Sequence, residues 1–189
     1  MELPLDAYAP FCYDRAMSPC TFTRDPNGQI VQLEQFLILS PGRENGMDMM
    51  FGGEVLKAID EISGSLATLF IAREGLRAVH VGEEVFFHKP IRSGECAHVV
   101  ARVALSTDKI VCAHVVVRGG NPETPDAFDL RYEGFGLCAV IDRTRTLVRD
   151  LTPYTSTDAR LVAIAQRVVE FQRNTRRALL EYATTPATT

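Results

Sequence analysis

Several features that would assign this sequence of 189 residues to a specialised class of protein are missing. No apolar run approaches the roughly 18 to 20 residues of a membrane-spanning helix, and the first residues lack the basic and apolar regions of a secretory signal. Positive charge is not in excess, since 20 Lys and Arg face 24 Asp and Glu, which argues against non-specific binding to nucleic acid. We therefore expect a folded cytoplasmic protein without nucleic-acid or membrane partners.

The five cysteines do not form a recognisable pattern either. They are widely spaced and none lies in a C-x-x-C pair, so we expect reduced thiols rather than disulfides. Cys96 with His98 and Cys112 with His114 could hold a metal if two paired strands brought them together, but regular strands project such ligands in parallel, and we expect none. Walker A, H-E-x-x-H and G-x-S-x-G sequences are absent. The run 134–139 fits G-x-G-x-x-A only by letter, because it opens no helix.

The clearest helix is predicted over residues 53–74. Apolar residues recur along it at steps of four and three, as on one face of a helix: Val55, Ile59, Ile62, Leu66 and Leu69. A second stripe consists mostly of small residues with one acid in the middle, and small residues let another backbone come close. Its members are Gly53, Leu56, Asp60, Gly64 and Ala67.

Strands are predicted on both sides of this helix. They cover residues 29–39, 78–81, 84–87, 97–105, 110–118 and 132–141. A second amphipathic helix follows over 158–182, capped by Thr157-Asp158, and we interpret its arginines as a solvated face: Arg160, Arg167, Arg173, Arg176 and Arg177. This order predicts an α+β fold in which an antiparallel sheet wraps one long central helix, with a C-terminal helix added.

The start of the central helix and its acid suggest acyl-transfer chemistry. Gly52 and Gly53 leave backbone N–H groups uncovered at the positive end of the helix dipole, where they suit an oxygen that becomes anionic. Asp60 lies on the same face, but about 12 Å from Gly52 along the axis. A general base must come within about 3 Å of its water. One helix cannot satisfy both demands, whereas two antiparallel helices from two subunits could, which predicts an obligate homodimer with two equivalent sites.

Two motifs frame the central helix and the strand that follows it. The first is Asn45, five residues, Phe51-Gly52-Gly53 and then Asp60; the second is Phe87-His88-Lys89-Pro90-Ile91 followed by Gly94-Glu95. They resemble the acyl-CoA thioesterases of the hotdog fold, most closely the YciA-like acyl-CoA hydrolases. The likeness covers about residues 30–155. It implies a hotdog thioesterase domain over 29–155. The prolines of residues 1–28 and the turn signal at their end predict an irregular arm that could hold one short element, and the second helix with its tail covers 156–189.

The resemblance implies a reaction and a set of catalytic residues. In that family the thioester carbonyl binds at the amide of the first glycine, an Asn or Gln seven residues earlier holds the carbonyl or the water, and the acid comes from the partner subunit. These roles fall on Gly52, Asn45 and Asp60, in an acyl-CoA hydrolase that releases a carboxylic acid and CoA. Asp60 would be a general base or a nucleophile, which stays open. No cofactor is expected besides CoA within the substrate, and hexamers built as trimers of dimers are implied.

Further residues are expected to bind the substrate. Gly64 offers no hydroxyl where some relatives have Thr, so Ser63 or Ser65 would have to supply one. Lys89 and Arg92 could meet the CoA phosphates, although surface lysines are usually only solvated. The expected substrate-binding residues are Phe51, Gly53, Ser63, Gly64, Phe87, Lys89 and Arg92.

Two other functions remain open on the same fold. A hydratase or dehydratase acting on acyl thioesters would need a His with an acid, and none of the four His lies on the predicted central helix or in the loop before it. His80 and His88 lie in strand-like runs and could be core or site-lining residues. A non-catalytic acyl-CoA-binding protein would keep the fold without turnover, an alternative that Gly64 and Asp48, where the family commonly has Gly, leave open.

Each motif residue also has a purely structural interpretation. Asp60 could be an interface acid paired with a basic residue. Gly52 and Gly53 could serve only close helix packing, and Asn45 could be a turn or cap residue. Their joint spacing is what favours the catalytic interpretation.

Overall fold

Seven antiparallel strands form a sheet with a helix on each face. The structure is a computed structural model that describes residues 20–38, 46–50 and 52–184, with the backbone alone for 182–184. In chain order the elements are β1 (Thr21–Arg24), β2 (Ile30–Ile38), α1 (Gly52–Ile71), β3 (Arg77–Phe87), β4 (Cys96–Ser106), β5 (Ile110–Gly120), β6 (Asp129–Ile141), β7 (Tyr154–Thr155) and α2 (Ala159–Thr184).

The sheet wraps around α1, as the sequence predicts. Its strand order is β1-β2-β4-β5-β6-β3, with β7 beside the end of β4. Four residues of the predicted apolar stripe are fully buried against the inner face of the sheet, and each such aliphatic side chain contributes about 1.5–3 kcal/mol: Val55, Ile59, Ile62 and Leu66. Leu69 is only partly buried. The predicted α+β architecture is therefore confirmed.

Several element boundaries differ from the prediction. The range 1–28 contains β1, which forms a hairpin with β2 through the Asp25–Gly28 turn, so the described part of this arm is not wholly irregular. The central helix ends at Ile71 rather than Glu74, because Ala72 adopts a left-handed conformation with φ 45°. The strand β7 was not predicted, since two residues carry no recognisable pattern.

β3 is one strand rather than the two predicted, and it contains a β-bulge. His80 pairs with Cys138 and Gly82 with Leu137, so Val81 is an extra residue without a partner opposite it. The bulge changes which residues face α1. Ala78 and His80 face inward before it, and Glu83, Val85 and Phe87 face inward after it, as the inward-facing partners on β6 show.

α2 packs on the outer face of the sheet through a narrow apolar side. Ala165 and Val168 contact a cluster of outer-face residues that includes Phe135 and Leu137. Asp158 caps the helix as predicted, since its Oδ1 accepts hydrogen bonds from the N–H groups of Arg160 and Leu161 at 3.0 and 3.1 Å. All five arginines of the predicted solvated face are exposed. No helix among the described residues is long and apolar enough to span a membrane.

The two C-x-H pairs lie on adjacent strands, but far from each other. His114 stands opposite Arg102, four residues from His98 along β4, which is about 13 Å. Each His has a carboxylate partner of its own: His98 Nε2 lies 3.1 Å from Glu34 Oε2, and His114 Nε2 lies 2.9 Å from Glu133 Oε1. Both histidines therefore have carboxylate partners on the outer face of the sheet.

Candidate functional site

Asp60, the predicted acid, lies in contact with a histidine that the sequence analysis did not assign to it. Asp60 is on the open face of α1 and its side chain is 54% exposed. The Nδ1 atom of His80, on the inner face of β3, lies 2.6 Å from Asp60 Oδ1, and the His80 side chain is only 17% exposed. The two atoms are within contact distance, but the carboxylate oxygen lies off the direction of a ring N–H, so the contact is not a well-aligned hydrogen bond. The pair joins the middle of the central helix to the edge strand.

A second carboxylate reaches the other side of the imidazole. Glu83 Oε2 lies 3.9 Å from His80 Nε2, on the inner face because of the bulge at Val81. Burial raises the pKa of Glu83, the charge of Asp60 raises it further, and the charge of His80 acts in the opposite direction. His80 is thus held between two acids, and the acids influence each other.

Glu83→Gln should stabilise the protein near neutral pH. A carboxyl whose pKa is raised by folding destabilises the native state as pH rises through that raised pKa, and has no such effect below the unfolded value of about 4.5. The midpoint of thermal unfolding, followed by circular dichroism, should rise by about 2–4 °C at pH 7. At pH 4 the difference should shrink towards zero, and an unchanged difference would contradict the assignment.

The wall of the site behind His80 is made by a close approach of α1 to β6. The Ser63 side chain is fully buried, and its Oγ has no hydrogen-bond partner among the described residues. A Cβ on Gly136 would lie 2.7 Å from Ser63 Cβ and 3.5 Å from His80 Cε1, closer to Ser63 than real atoms approach. This packing explains Gly136, whereas a Cβ on Gly134, the other glycine of the G-x-G pattern, would lie within 3.1 Å of Val85 Cα on β3. The packing also places Ser63, predicted to bind substrate, away from the surface of the protomer.

Gly52, the predicted amide donor, forms the other end of the site. It is the first residue of α1, and a Cβ there would lie 3.7 Å from Cε1 of Phe87. The Phe87 ring packs edge-on against Tyr132 at 5.1 Å between centroids. The structure therefore places Phe87 beside Gly52, with Gly53 exposed next to them. Asn45 and Phe51 lie outside the described residues.

The loop before α1 is held against the second motif. Met50 N–H donates to the Ile91 carbonyl at 2.8 Å, and Ser93 N–H donates to the Asp48 carbonyl at 3.0 Å. Asp48 has φ 53°, in the left-handed region that glycine favours, which explains why a glycine would suit this position. The two motifs thus form one surface beside the start of α1.

The charged residues of the second motif are largely engaged within the chain. Lys89 Nζ lies 2.5 Å from Asp129 Oδ2; this hydrogen bond, together with the charge of Arg131, lowers the pKa of Asp129. Arg131, mostly buried, donates to Glu95 at 2.8 Å and to the Pro90 carbonyl at 2.6 Å. Arg92 is exposed, and its N–H donates to Glu95 Oε2 at 2.8 Å. Glu95 and Arg131 therefore hold this loop in place. The sequence analysis assigned no role to Arg131.

The predicted residues fall into two groups within one protomer. Gly52 with Phe87, Lys89 and Arg92 lies at the start of α1, and Asp60 with His80 lies two turns further along, about 12 Å away. Gly64 is partly buried, and a Cβ there would meet nothing within 4 Å. One chain alone does not bring the amide donors and the acid to a common point.

Known proteins resemble this chain in structure. No protein-family model and no curated protein matches it. A solved acyl-CoA hydrolase from Staphylococcus aureus, in complex with butyryl coenzyme A, has a TM-score of 0.69 at 21% identity over 82% of this chain and 95% of that chain. An acyl-CoA hydrolase from Bacillus cereus has a TM-score of 0.68 at 19% identity over 84% of this chain and 95% of that chain. A hexameric acyl-CoA thioesterase has a TM-score of 0.63 at 22% identity over 77% of this chain and 92% of that chain.

These similarities show that the chain has the hotdog fold of those structures, as the sequence predicts. At such identities the comparison concerns the fold. The site residues must be argued from their own chemistry.

Proposed function

We propose that the protein hydrolyses acyl-CoA thioesters, releasing a carboxylic acid and CoA. The observation that carries the proposal is the position of Asp60, a half-exposed carboxylate on the open face of a central helix that begins with Gly52. Structural neighbours with this fold include an acyl-CoA hydrolase in complex with butyryl coenzyme A. Fold and acid together support the reaction better than either does alone.

The active site is completed by a second copy of the chain. With two α1 helices antiparallel across a two-fold axis, Asp60 of one protomer faces Gly52 of its partner. Small residues on this face permit the approach, since Gly53 is exposed and Gly64 has free space around it. The obligate dimer therefore follows from the distance of about 12 Å that separates the two groups in one chain. A hexameric neighbour supports further assembly of dimers into hexamers.

The edge strand β3 supports dimerisation as well. It pairs only with β6 in the described chain and exposes Val79, Val81 and Phe86. An exposed apolar edge strand readily pairs with another chain. A two-fold axis would pair the two β3 edges antiparallel, so that the same set of residues from both protomers lines the contact.

Val79→Lys should convert the dimer into a monomer, because two like charges would face each other in a symmetric apolar contact. Light scattering coupled to size-exclusion chromatography measures the change. Phe22→Lys is the matched control, since Phe22 is 39% exposed on β1 at the opposite edge of the sheet and Val79 is 41% exposed. Dimers in both variants, or monomers in both, would argue against β3 as the dimer edge.

The proposed reaction uses few groups. The thioester carbonyl oxygen binds at the Gly52 amide, whose position at the helix start favours negative charge. In one route, Asp60 of the partner removes a proton from water, and the resulting hydroxide attacks the carbonyl carbon. In the other, Asp60 attacks that carbon itself and forms an anhydride, which water then hydrolyses to release the acid, restore the carboxylate and supply the proton. In both routes the C–S bond breaks and the CoA thiolate takes up the proton. Arg92 is exposed and would suit a phosphate of CoA, whereas Lys89 would first have to leave the carboxylate of Asp129.

The test is thiol release from a panel of acyl-CoAs, followed with DTNB. Release by the purified chain supports the hydrolase. Tight binding without release would support a non-catalytic acyl-CoA-binding protein instead. The predicted cytoplasmic location stays a prediction.

A second candidate function gains support from one contact. A hydratase or dehydratase acting on acyl thioesters needs a His with an acid, and His80 with Asp60 provides that pair, contrary to the expectation from the sequence. Incubation with saturated 3-hydroxyacyl-CoA and with 2-enoyl-CoA separates the two, because only a hydratase or dehydratase changes the absorbance of the conjugated double bond. Thiol release without that change favours hydrolysis.

A further inference from the structure

We propose that His80 is a positioning residue for Asp60, and that Glu83 tunes the pair from its other side. The inference rests on the proposed hydrolase function. It gives a specific role to His80, which the sequence analysis considered only as a core or site-lining residue. Its basis is the contact of 2.6 Å between His80 Nδ1 and Asp60 Oδ1, with Glu83 Oε2 at 3.9 Å from Nε2.

Comparison with the other histidines shows why this pair differs from a structural ion pair. His98 with Glu34 and His114 with Glu133 also lie at hydrogen-bond distance, but they lie on the outer face of the sheet. His80 lies on the inner face and contacts the exposed acid of α1. The imidazole is more buried than the carboxylate that it holds, so Asp60 is presented towards the open side.

The surroundings of His80 keep the imidazole in place. Its ring lies beside the contact between Ser63 and Gly136, with Cε1 3.5 Å from the position that a Cβ on Gly136 would take, which is ordinary packing distance. On the outer side of β3, Gln172 Nε2 donates to the Glu83 carbonyl at 3.3 Å and so supports the bulge. A rigidly held ring restricts the rotamers of the carboxylate that it touches, which is what a positioned base requires.

In the general-base route, this contact leaves one oxygen of Asp60 for chemistry. Oδ1 stays with His80, and Oδ2 receives the proton of the attacking water as the C–O bond forms. When the C–S bond breaks, the proton passes from Oδ2 to the thiolate sulfur. His80 exchanges no proton with the substrate, and its positive form would favour the ionised form of Asp60.

The charged and titratable groups that face His80 come from three elements. They are Asp60 of α1, Glu83 of β3 and Cys138 of β6, while α2 contributes the neutral Gln172 nearby. Burial raises the pKa of Cys138 to about 12, so this thiol stays neutral over the range of the assay. The pH dependence therefore reflects the three groups His80, Asp60 and Glu83.

The experiment compares His80→Ala, His80→Asn and Glu83→Gln with the unmodified full chain, using DTNB to follow acyl-CoA hydrolysis between pH 5 and 9. His98→Ala is the matched control, because His98 also pairs with a carboxylate. We expect His80→Ala to lower kcat by about 10- to 100-fold with KM changed less than threefold. His80→Ala and Glu83→Gln should move the acidic limb of the profile in opposite directions, because the positive form of His80 and the charge of Glu83 act on Asp60 with opposite sign.

His80→Asn guards against a folding defect, since its amide N–H can occupy the position of Nδ1. It should recover most of kcat but keep the altered acidic limb. A folded His80→Ala with the kcat and profile of the unmodified chain would overturn the inference while leaving the hydrolase function intact. A loss of equal size in His98→Ala would overturn it as well. If the unmodified chain released no thiol from any acyl-CoA, the proposed function itself would fail, and the role of His80 with it.

Discussion

Asp60→Asn should lower kcat/KM for acyl-CoA hydrolysis by about 10³-fold or more, with the fold and the oligomeric state unchanged. The substitution removes the carboxylate that activates water or attacks the thioester, but keeps the size of the side chain. Because Asp60 is half-exposed, its loss leaves no buried cavity or uncompensated charge pair of comparable cost. Thiol release under saturating and limiting substrate, with circular dichroism as a check on folding, measures the effect.

The neighbouring acid is the matched control. Glu61 lies one residue further along α1, is exposed, and makes only a long ion pair of 3.9 Å with Lys57. Glu61→Gln should therefore retain activity within about twofold. Full activity in Asp60→Asn would refute the site, since it would show that the helix acid is structural. Equal losses in both variants would point to general electrostatics rather than to one catalytic group.

Asp60 also allows the general-base route to be distinguished from the nucleophilic route. A single turnover in ¹⁸O water labels the released acid if Asp60 acts as a base. If Asp60 attacks and forms an anhydride, water that attacks the side-chain carbonyl leaves the label in the Asp60 carboxylate. Mass spectrometry of the peptide that contains Asp60 then identifies the route.

Gly136→Ala should destabilise the protein by about 2–3 kcal/mol. The added Cβ would lie 2.7 Å from Ser63 Cβ, and this close approach joins the central helix to β6. Overpacking of this kind forces backbone shifts in a dense interior. Chemical denaturation gives the free energy of unfolding. Gly46→Ala is the control, because a Cβ at Gly46 meets nothing within 4 Å, and it should change stability by less than about 1 kcal/mol.

A second substitution tests the cause. Ser63→Gly removes both atoms that the new Cβ would meet, at a cost of about 1 kcal/mol in helix propensity. Gly136→Ala combined with Ser63→Gly should therefore be more stable than the sum of the two single changes predicts. Strict additivity would show that Gly136 is required for another reason.

Much of the fold could be predicted because the spacing of apolar residues and of turn residues along the chain indicates the helices and strands. The stripe from Val55 to Leu66 defines the buried side of α1, and turn residues separate the strands of the sheet. β3 was divided in two because the alternation of inward residues breaks between His80 and Glu83, and a bulge cannot be distinguished from a loop by pattern alone.

The candidate site was predicted in part, for a related reason. The sequence analysis named Gly52, Phe87 and Asp60, and the structure places Phe87 beside Gly52 and Asp60 on the open face of α1. The contact with His80 joins positions 20 residues apart on different elements, and no spacing rule links a helix to a bulged strand. The interpretation of Lys89 overlooked Asp129, because their pairing depends on the register of the loop against β6.

The extra residue Val81 also affects how this chain should be aligned with others of its fold. In a chain whose corresponding strand is regular, the counterparts of His80 and Phe87 would be separated by six positions instead of seven. A gapless alignment would match one end of the strand correctly and, at the other end, equate residues that face the helix with residues that face away. Placing a one-residue gap at Val81 keeps equivalent side chains together, and searches for a counterpart of His80 should be made with that gap.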